Sequence, residues 1–114
     1  MANRLSVITT RTGDDGSTGL GDGSRVRKDS ARVCAMGEVD ELNSSLGLLI
    51  ADLRTEPTFA TLLAVVMPVQ HALFDLGGEL AIPGYTLMRP EQVAFLDEQI
   101  AKLNADLPPL KEFI

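Results

Sequence analysis

With 114 residues and 45% hydrophobic content, the chain is long enough for one ordinary domain and too apolar to be disordered. Its net charge of −6 argues against nucleic acid as the main partner, and its single cysteine, Cys34, excludes an intrachain disulfide and a thiolate zinc cluster. Trp is absent and aromatics make up 4% of the chain, so any core must be aliphatic.

Met1–Ile8 has no apolar h-region of a secretory signal, although Leu5-Ser6-Val7-Ile8 suits a short extended piece. No apolar run approaches the ~20 residues of a membrane helix. A soluble, cytoplasmic protein without membrane partners is expected. Charge is uneven along it. Six basic residues against four acidic ones through Arg32 leave +2 there, so the remainder carries −8. An acidic body with a mildly basic amino-terminal arm suits a small anionic ligand held locally.

Thr10-Arg11-Thr12-Gly13-Asp14-Asp15-Gly16-Ser17-Thr18-Gly19-Leu20-Gly21-Asp22-Gly23 is the most informative stretch. It holds five glycines and four hydroxyl side chains but one large apolar residue, Leu20, and cannot build a core. Glycine lets a ligand approach the main chain closely, hydroxyls add donors, and Arg11 and Lys28 add charge that suits phosphate. By composition alone, a polyphosphate-binding loop over residues 1–28 and a flexible surface loop are both compatible with it. Lys28-Asp29 likewise fits a phosphate partner or a solvated helix start.

Three apolar stripes follow, with spacings that alternate between three and four and so define helix faces. The first is Ala35, Val39, Leu42, Leu46, Leu49, Leu53; the second is Leu62, Val66, Val69, Leu73, Leu76, Leu80; the third is Val93, Leu96, Ile100, Leu103, Leu107. They predict helices over 30–54, 58–81 and 90–106, joined by short connections as antiparallel neighbours in an all-α bundle. Asp29 or Ser30 can cap the first, Ile82-Pro83-Gly84 stops the second, and Pro108-Pro109 ends the third. Pro68 predicts a kink in the second helix or a later start. Gly37, Ser44 and Gly47 could admit a close neighbouring backbone. Cys34 reads as small core filler and His71 as a polar or packed helix residue. Asp40 and Glu41 project about 100° apart, and composition favours a solvated face for them.

Common signatures fail. Gly16 and Gly21 have Walker spacing, but Asp22-Gly23 follows instead of Lys-Ser/Thr. Gly19-Leu20-Gly21 lacks the strand and third glycine of a dinucleotide fingerprint. Arg25 stands where an EF-hand from Asp14 needs its twelfth-position acid. One histidine supports neither a di-iron bundle nor a Ser/His/Asp set, so no metal ligands are assigned.

The chain resembles the PduO-type ATP:cob(I)alamin adenosyltransferases. The matching blocks are Thr10–Leu20, Arg27-Lys28-Asp29, Gly37-Glu38-Val39-Asp40-Glu41-Leu42-Asn43-Ser44 with Gly47, more weakly Leu73-Phe74-Asp75-Leu76-Gly77-Gly78-Glu79-Leu80, and Glu112-Phe113-Ile114. The resemblance implies one adenosyltransferase domain over 1–114, part of a five-helix, ferritin-like up-down bundle that assembles as a homotrimer with sites between subunits. It implies that Thr10, Arg11, Thr12, Gly13, Thr18, Gly19 and Lys28 contact ATP, which binds with Mg2+. Asp40 would pair with an arginine across the subunit interface. Phe113 would sit at the corrin and keep the axial base off cobalt.

The implied reaction is attack of cob(I)alamin on the 5′ carbon of ATP, giving adenosylcobalamin and triphosphate. Because cobalt is itself the nucleophile, no protein nucleophile is needed. A flavoprotein is the candidate reductant. The alternative is an ATP-binding trimeric regulator or sensor without turnover. Family members continue past Phe113-Ile114 with two further helices carrying ATP-binding arginines, so the sequence is expected to be a piece of a longer chain.

Overall fold

The computed structural model describes residues 7–113. Leu5 and Ser6 of the proposed extended piece, and Ile114, lie outside them, while Val7 and Ile8 form no strand. Three helices carry the fold: α1 (Ala31–Leu53), α2 (Ala60–Ala81) and α3 (Pro90–Ala105). Ahead of them, β1 (Ser17–Gly19) and β2 (Arg25–Arg27) form a two-stranded antiparallel hairpin, with Thr18 opposite Val26. This adds a little strand to the all-α expectation. β-branched Thr18 and Val26 face each other where the glycine count had suggested irregular chain.

Local chemistry sets the helix ends. Ser30, not Asp29, caps α1, its hydroxyl accepting the Val33 amide at 3.4 Å. Pro57 opens a short 3-10 turn, Pro57–Phe59, that leads directly into α2. Pro90 occupies the first turn of α3, and the Gln92 carboxamide accepts the Arg89 amide at 2.7 Å. α2 starts ahead of Pro68 and runs through it, so the later start does not occur. Pro68 supplies no amide, which leaves the Ala64 carbonyl without its helical donor.

α1 and α2 pack as an antiparallel pair. Their core sits at the end where they join, built from Ile50, Leu53 and Val66 with Leu46, Leu62, Leu63 and Met67 against it. The buried stripe of α1 keeps Leu46 and Leu53 of the predicted seam and takes Ile50 in place of Leu49. Ile50 is 4% exposed, whereas Leu49 is 40% and Leu42 52% exposed. Cys34 is exposed, correcting its reading as core filler, because the α1 face toward α2 begins with Val33 and Met36. Gly47 does face α2, where an added Cβ would lie 3.3 Å from Gln70 Nε2. Gly37 touches nothing but borders a cleft with Gly77 and Gly78.

α2 has a second apolar side. Val69, Leu73 and Leu76 line a groove of about 320 Å³ with Phe95 and Leu96 of α3. This explains why Pro57–Ala81, 25 residues with a mean hydropathy of 1.6, is long and apolar enough to cross a membrane. The sequence reading found no such run because Gln70, His71, Asp75 and Glu79 interrupt it. α1 covers one side of this helix, around Val66, and most of its remaining apolar surface is not buried among the described residues.

Candidate functional site

The glycine-rich segment folds by means of two Asp-Gly-Ser turns. Asp15 Oδ1 accepts the Ser17 amide at 2.9 Å and the Ser17 hydroxyl at 2.8 Å. Asp22 Oδ1 accepts the Ser24 amide at 2.9 Å and the Ser24 hydroxyl at 2.5 Å. The intervening Gly16 and Gly23 have φ of 89° and 86°, a region that glycine enters without steric cost. Each aspartate thereby replaces a backbone partner and fixes a sharp bend. The Ser17 amide and hydroxyl hold the Asp15 carboxyl below its ordinary value of 3.8, and the Ser24 hydroxyl and amide do the same for Asp22. The first turn leads into β1 and the second joins β1 to β2.

Arg25 ties the hairpin to the residues before it. Its Nη2 donates to Thr12 O at 3.2 Å and to Ser17 Oγ at 2.8 Å, and its Nε reaches the same hydroxyl at 3.2 Å. The Lys28 amide donates to Gly16 O at 2.9 Å and closes the base of the loop. Arg27 forms a bidentate pair with Asp29 at 2.8 and 2.6 Å, which lowers the Asp29 carboxyl and raises the guanidinium. Both partners of that pair are exposed.

Of the residues predicted to bind the ligand, the structure brings Gly13 and Lys28 together. A Cβ on Gly13 would stand 2.9 Å from Lys28 Nζ and 2.8 Å from Ser17 O. The ammonium therefore rests on the bare main chain of Gly13, fifteen residues earlier, and makes no ion pair among the described residues. Lys28 also lines a concavity of about 400 Å³ with Asp15, Gly16, Ser17, Arg27 and Asp29. Thr10 and Thr12 meet through their hydroxyls at 2.9 Å. Arg11 between them has φ 59°, the one non-glycine residue at positive φ among those described. A side-chain-bearing residue there is strained unless its surroundings hold it. Thr18 and Gly19 lie on β1. The structure thus brings Gly13 to Lys28 and Thr10 to Thr12, while neither threonine lines the Lys28 concavity. Hydroxyls, a close-approach glycine and a cation are the donor types an oxyanion-rich ligand needs.

Asp40 and Phe113 lie elsewhere. Asp40 borders a cleft of about 520 Å³ between α1 and α2, with Gly37, Asn43, Phe74, Gly77 and Gly78. It makes no ion pair among the described residues. Phe113 is 106% exposed and borders neither this cleft nor the loop concavity. Sequence reasoning missed Asp15, Asp22 and Arg25 as builders of the loop. The doubled Asp-Gly-Ser spelling is the signal that could have found the first two; nothing local marks Arg25.

The cobalamin adenosyltransferase family model matches residues 8–114. A cobalamin adenosyltransferase of Cupriavidus metallidurans is 60% identical over all of this chain, and a corrinoid adenosyltransferase of Bacillus subtilis is 48% identical over 94% of it. The chain spans 60% and 56% of the lengths of those two relatives. Among solved structures, a variant PduO-type ATP:corrinoid adenosyltransferase from Lactobacillus reuteri, complexed with cobalamin and ATP, superposes with a TM-score of 0.84. It is 30% identical, and the match covers 95% of this chain and 62% of that one. A family model matched over nearly every residue, from the loop through all three helices, shows that the chain belongs to the cobalamin adenosyltransferases.

Proposed function

We propose that this chain carries the ATP-binding part of an ATP:cob(I)alamin adenosyltransferase. The observation that carries the reading is Lys28 Nζ seated on the side-chain-free face of Gly13, beside the hydroxyl-bearing Thr10–Thr12 turn. The Lactobacillus reuteri structures, one complexed with cobalamin and ATP and one with ATP, support the same ligands for this chain.

The loop's task is to hold and neutralise a leaving group. As the bond from cobalt to the 5′ carbon of ATP forms, the bond from that carbon to the phosphate oxygen breaks. The electron pair departs with triphosphate. Lys28, Arg11 and the amides around Gly13 meet that growing charge, while Thr10, Thr12 and Thr18 orient the phosphates. No cluster of three or more His, Cys, Asp or Glu side chains could hold an ion among the described residues. Mg2+ accompanies the triphosphate in this reading, adding positive charge there. Asp40 offers its carboxylate to an arginine of a neighbouring subunit in a homotrimer, and Phe113 is the residue that the family resemblance assigns to the corrin. A flavoprotein is the candidate reductant.

Full-length protein mixed with magnesium-ATP and chemically reduced cobalamin should convert the cob(I)alamin absorption spectrum to that of the alkylated cobalt. Heat of ATP binding without a spectral change would instead favour a nucleotide sensor. Absence of any heat with magnesium-ATP would remove the basis of both.

A further inference from the structure

The block Leu73–Leu80 matches the family without an evident role, and its continuation in space suggests one. The last turn of α2 points its terminal carbonyls at the loop. Gly21 donates its amide to Ala81 O at 2.7 Å, and Arg32 Nη1 donates to Leu80 O at 2.9 Å. Those two carbonyls have few helical donors left, because Ile82 ends the helix and Pro83 carries no amide. Gly21 also fits only as glycine. A Cβ there would lie 2.5 Å from Ile82 Cγ1 and 3.2 Å from Ala81 O, so the chain approaches the helix end with no room for a side chain. Arg32 sits in the first turn of α1, two residues beyond its cap, and so ties the start of that helix to the same point.

Glu79 adds a third attachment on the same turn. Its Oε1 accepts the amides of Leu87 and Met88, at 2.5 and 2.6 Å, and so holds the connection into α3. The loop tip, the start of α1 and the entry to α3 all converge on Glu79–Ile82. Arg32 further reaches the loop electrostatically. Asp22 is lowered chiefly by Ser24, and the Arg32 charge adds to that in the same direction.

We propose that the last turn of α2 is the seat of the nucleotide loop, with Gly21 and Arg32 as positioning residues that set where Gly13 and Lys28 stand. The inference rests on the ATP-binding reading above. Neither residue is assigned a contact with ATP. Gly21 acts by docking the turn that joins β1 to β2 on Ala81 O, and Arg32 by fixing the start of α1, into which β2 leads, to Leu80 O of the same helix end.

The test uses full-length protein, magnesium-ATP and cob(I)alamin. Arg32→Ala should raise the Kd and KM for ATP by about tenfold, the scale of a lost charged hydrogen bond, while the KM for cob(I)alamin stays within about twofold. Amide hydrogen exchange should quicken over Gly13–Lys28, and Arg32→Lys, which keeps a donor for Leu80 O, should restore part of the affinity. Gly21→Ala should show the same selective loss with Arg32 intact. If it fails to fold, Arg32→Ala decides alone. Unchanged ATP affinity and unchanged loop exchange in Arg32→Ala would overturn the inference, as would an equal loss for both substrates. Wild-type protein that binds no ATP would fail the functional reading instead, which separates the two failures.

Discussion

Gly13 is the residue on which the site turns, because its missing side chain is the space that Lys28 occupies. Its φ is not in the left-handed region, so alanine meets only a steric obstacle. The Lys28 tip can swing aside, but Ser17 O belongs to the main chain at 2.8 Å and has to shift with β1. Gly13→Ala should therefore displace the ammonium and weaken ATP binding about tenfold, read by calorimetry, with the melting temperature nearly unchanged. Acidity acts on the same loop through its aspartates. Asp15, Asp22 and Asp29 all have carboxyls held below the ordinary value of 3.8 by donors that the fold supplies. Their contribution is thus complete above that value and is lost as pH falls through the depressed values. Amide exchange at Ser17 and Ser24 should stay protected from about pH 8 to 5 and open below about pH 3.8. Opening between about pH 7 and 5 would show that other groups hold the turns. The sequence discloses this loop because hydroxyls, glycines and cations are crowded locally. It conceals Arg25, whose partners Thr12 and Ser17 are adjacent only after the hairpin closes.

At the level of elements, alternating three- and four-residue spacing is sufficient to mark each helix. It is not sufficient to say which face meets which neighbour. α1 carries apolar residues at both 49 and 50, about 100° apart, so a seam through Leu46 and Leu53 can take either. Contact with Leu62, Val66 and Met67 of α2 decides for the seam through Ile50. Ile50→Ala should accordingly cost about 2–4 kcal/mol in a urea melt, the usual loss for a large aliphatic side chain in a packed site. Leu49→Ala, at 40% exposure, should cost less than half of that. Equal costs would mean that another element covers the stripe through Leu42 and Leu49. α2 presents the same ambiguity in stronger form, since Val66 faces α1 while Val69 and Leu76 face α3. Its end is easier to read, because Pro83 and Gly84 stop it in any context.

The whole molecule exposes more surface than its size warrants. A compact chain of 12.2 kDa exposes roughly 6,000 Å² and has a radius of gyration of about 13 Å, against 9368 Å² and 18.7 Å here. The excess is apolar along specific lines. Val93, Leu96, Ile100, Leu103 and Leu107 of the third stripe are all between 40% and 64% exposed, and Phe74 on α2 is 77% exposed. Stripes of this kind are stable only against another apolar surface, and nothing among the described residues covers these. Family membership was legible because the loop and the α1 motif are contiguous spellings. The shape was not, because alternating spacing marks an apolar face without saying what covers it. A preparation limited to this chain should bind a hydrophobic dye strongly and sediment as a concentration-dependent mixture. Replacing Ile100 and Leu103 with glutamine should reduce both effects without reducing helix content by circular dichroism. A compact, dye-free monomer at every concentration would show instead that α3 folds back onto α1 and α2 and buries its own stripe.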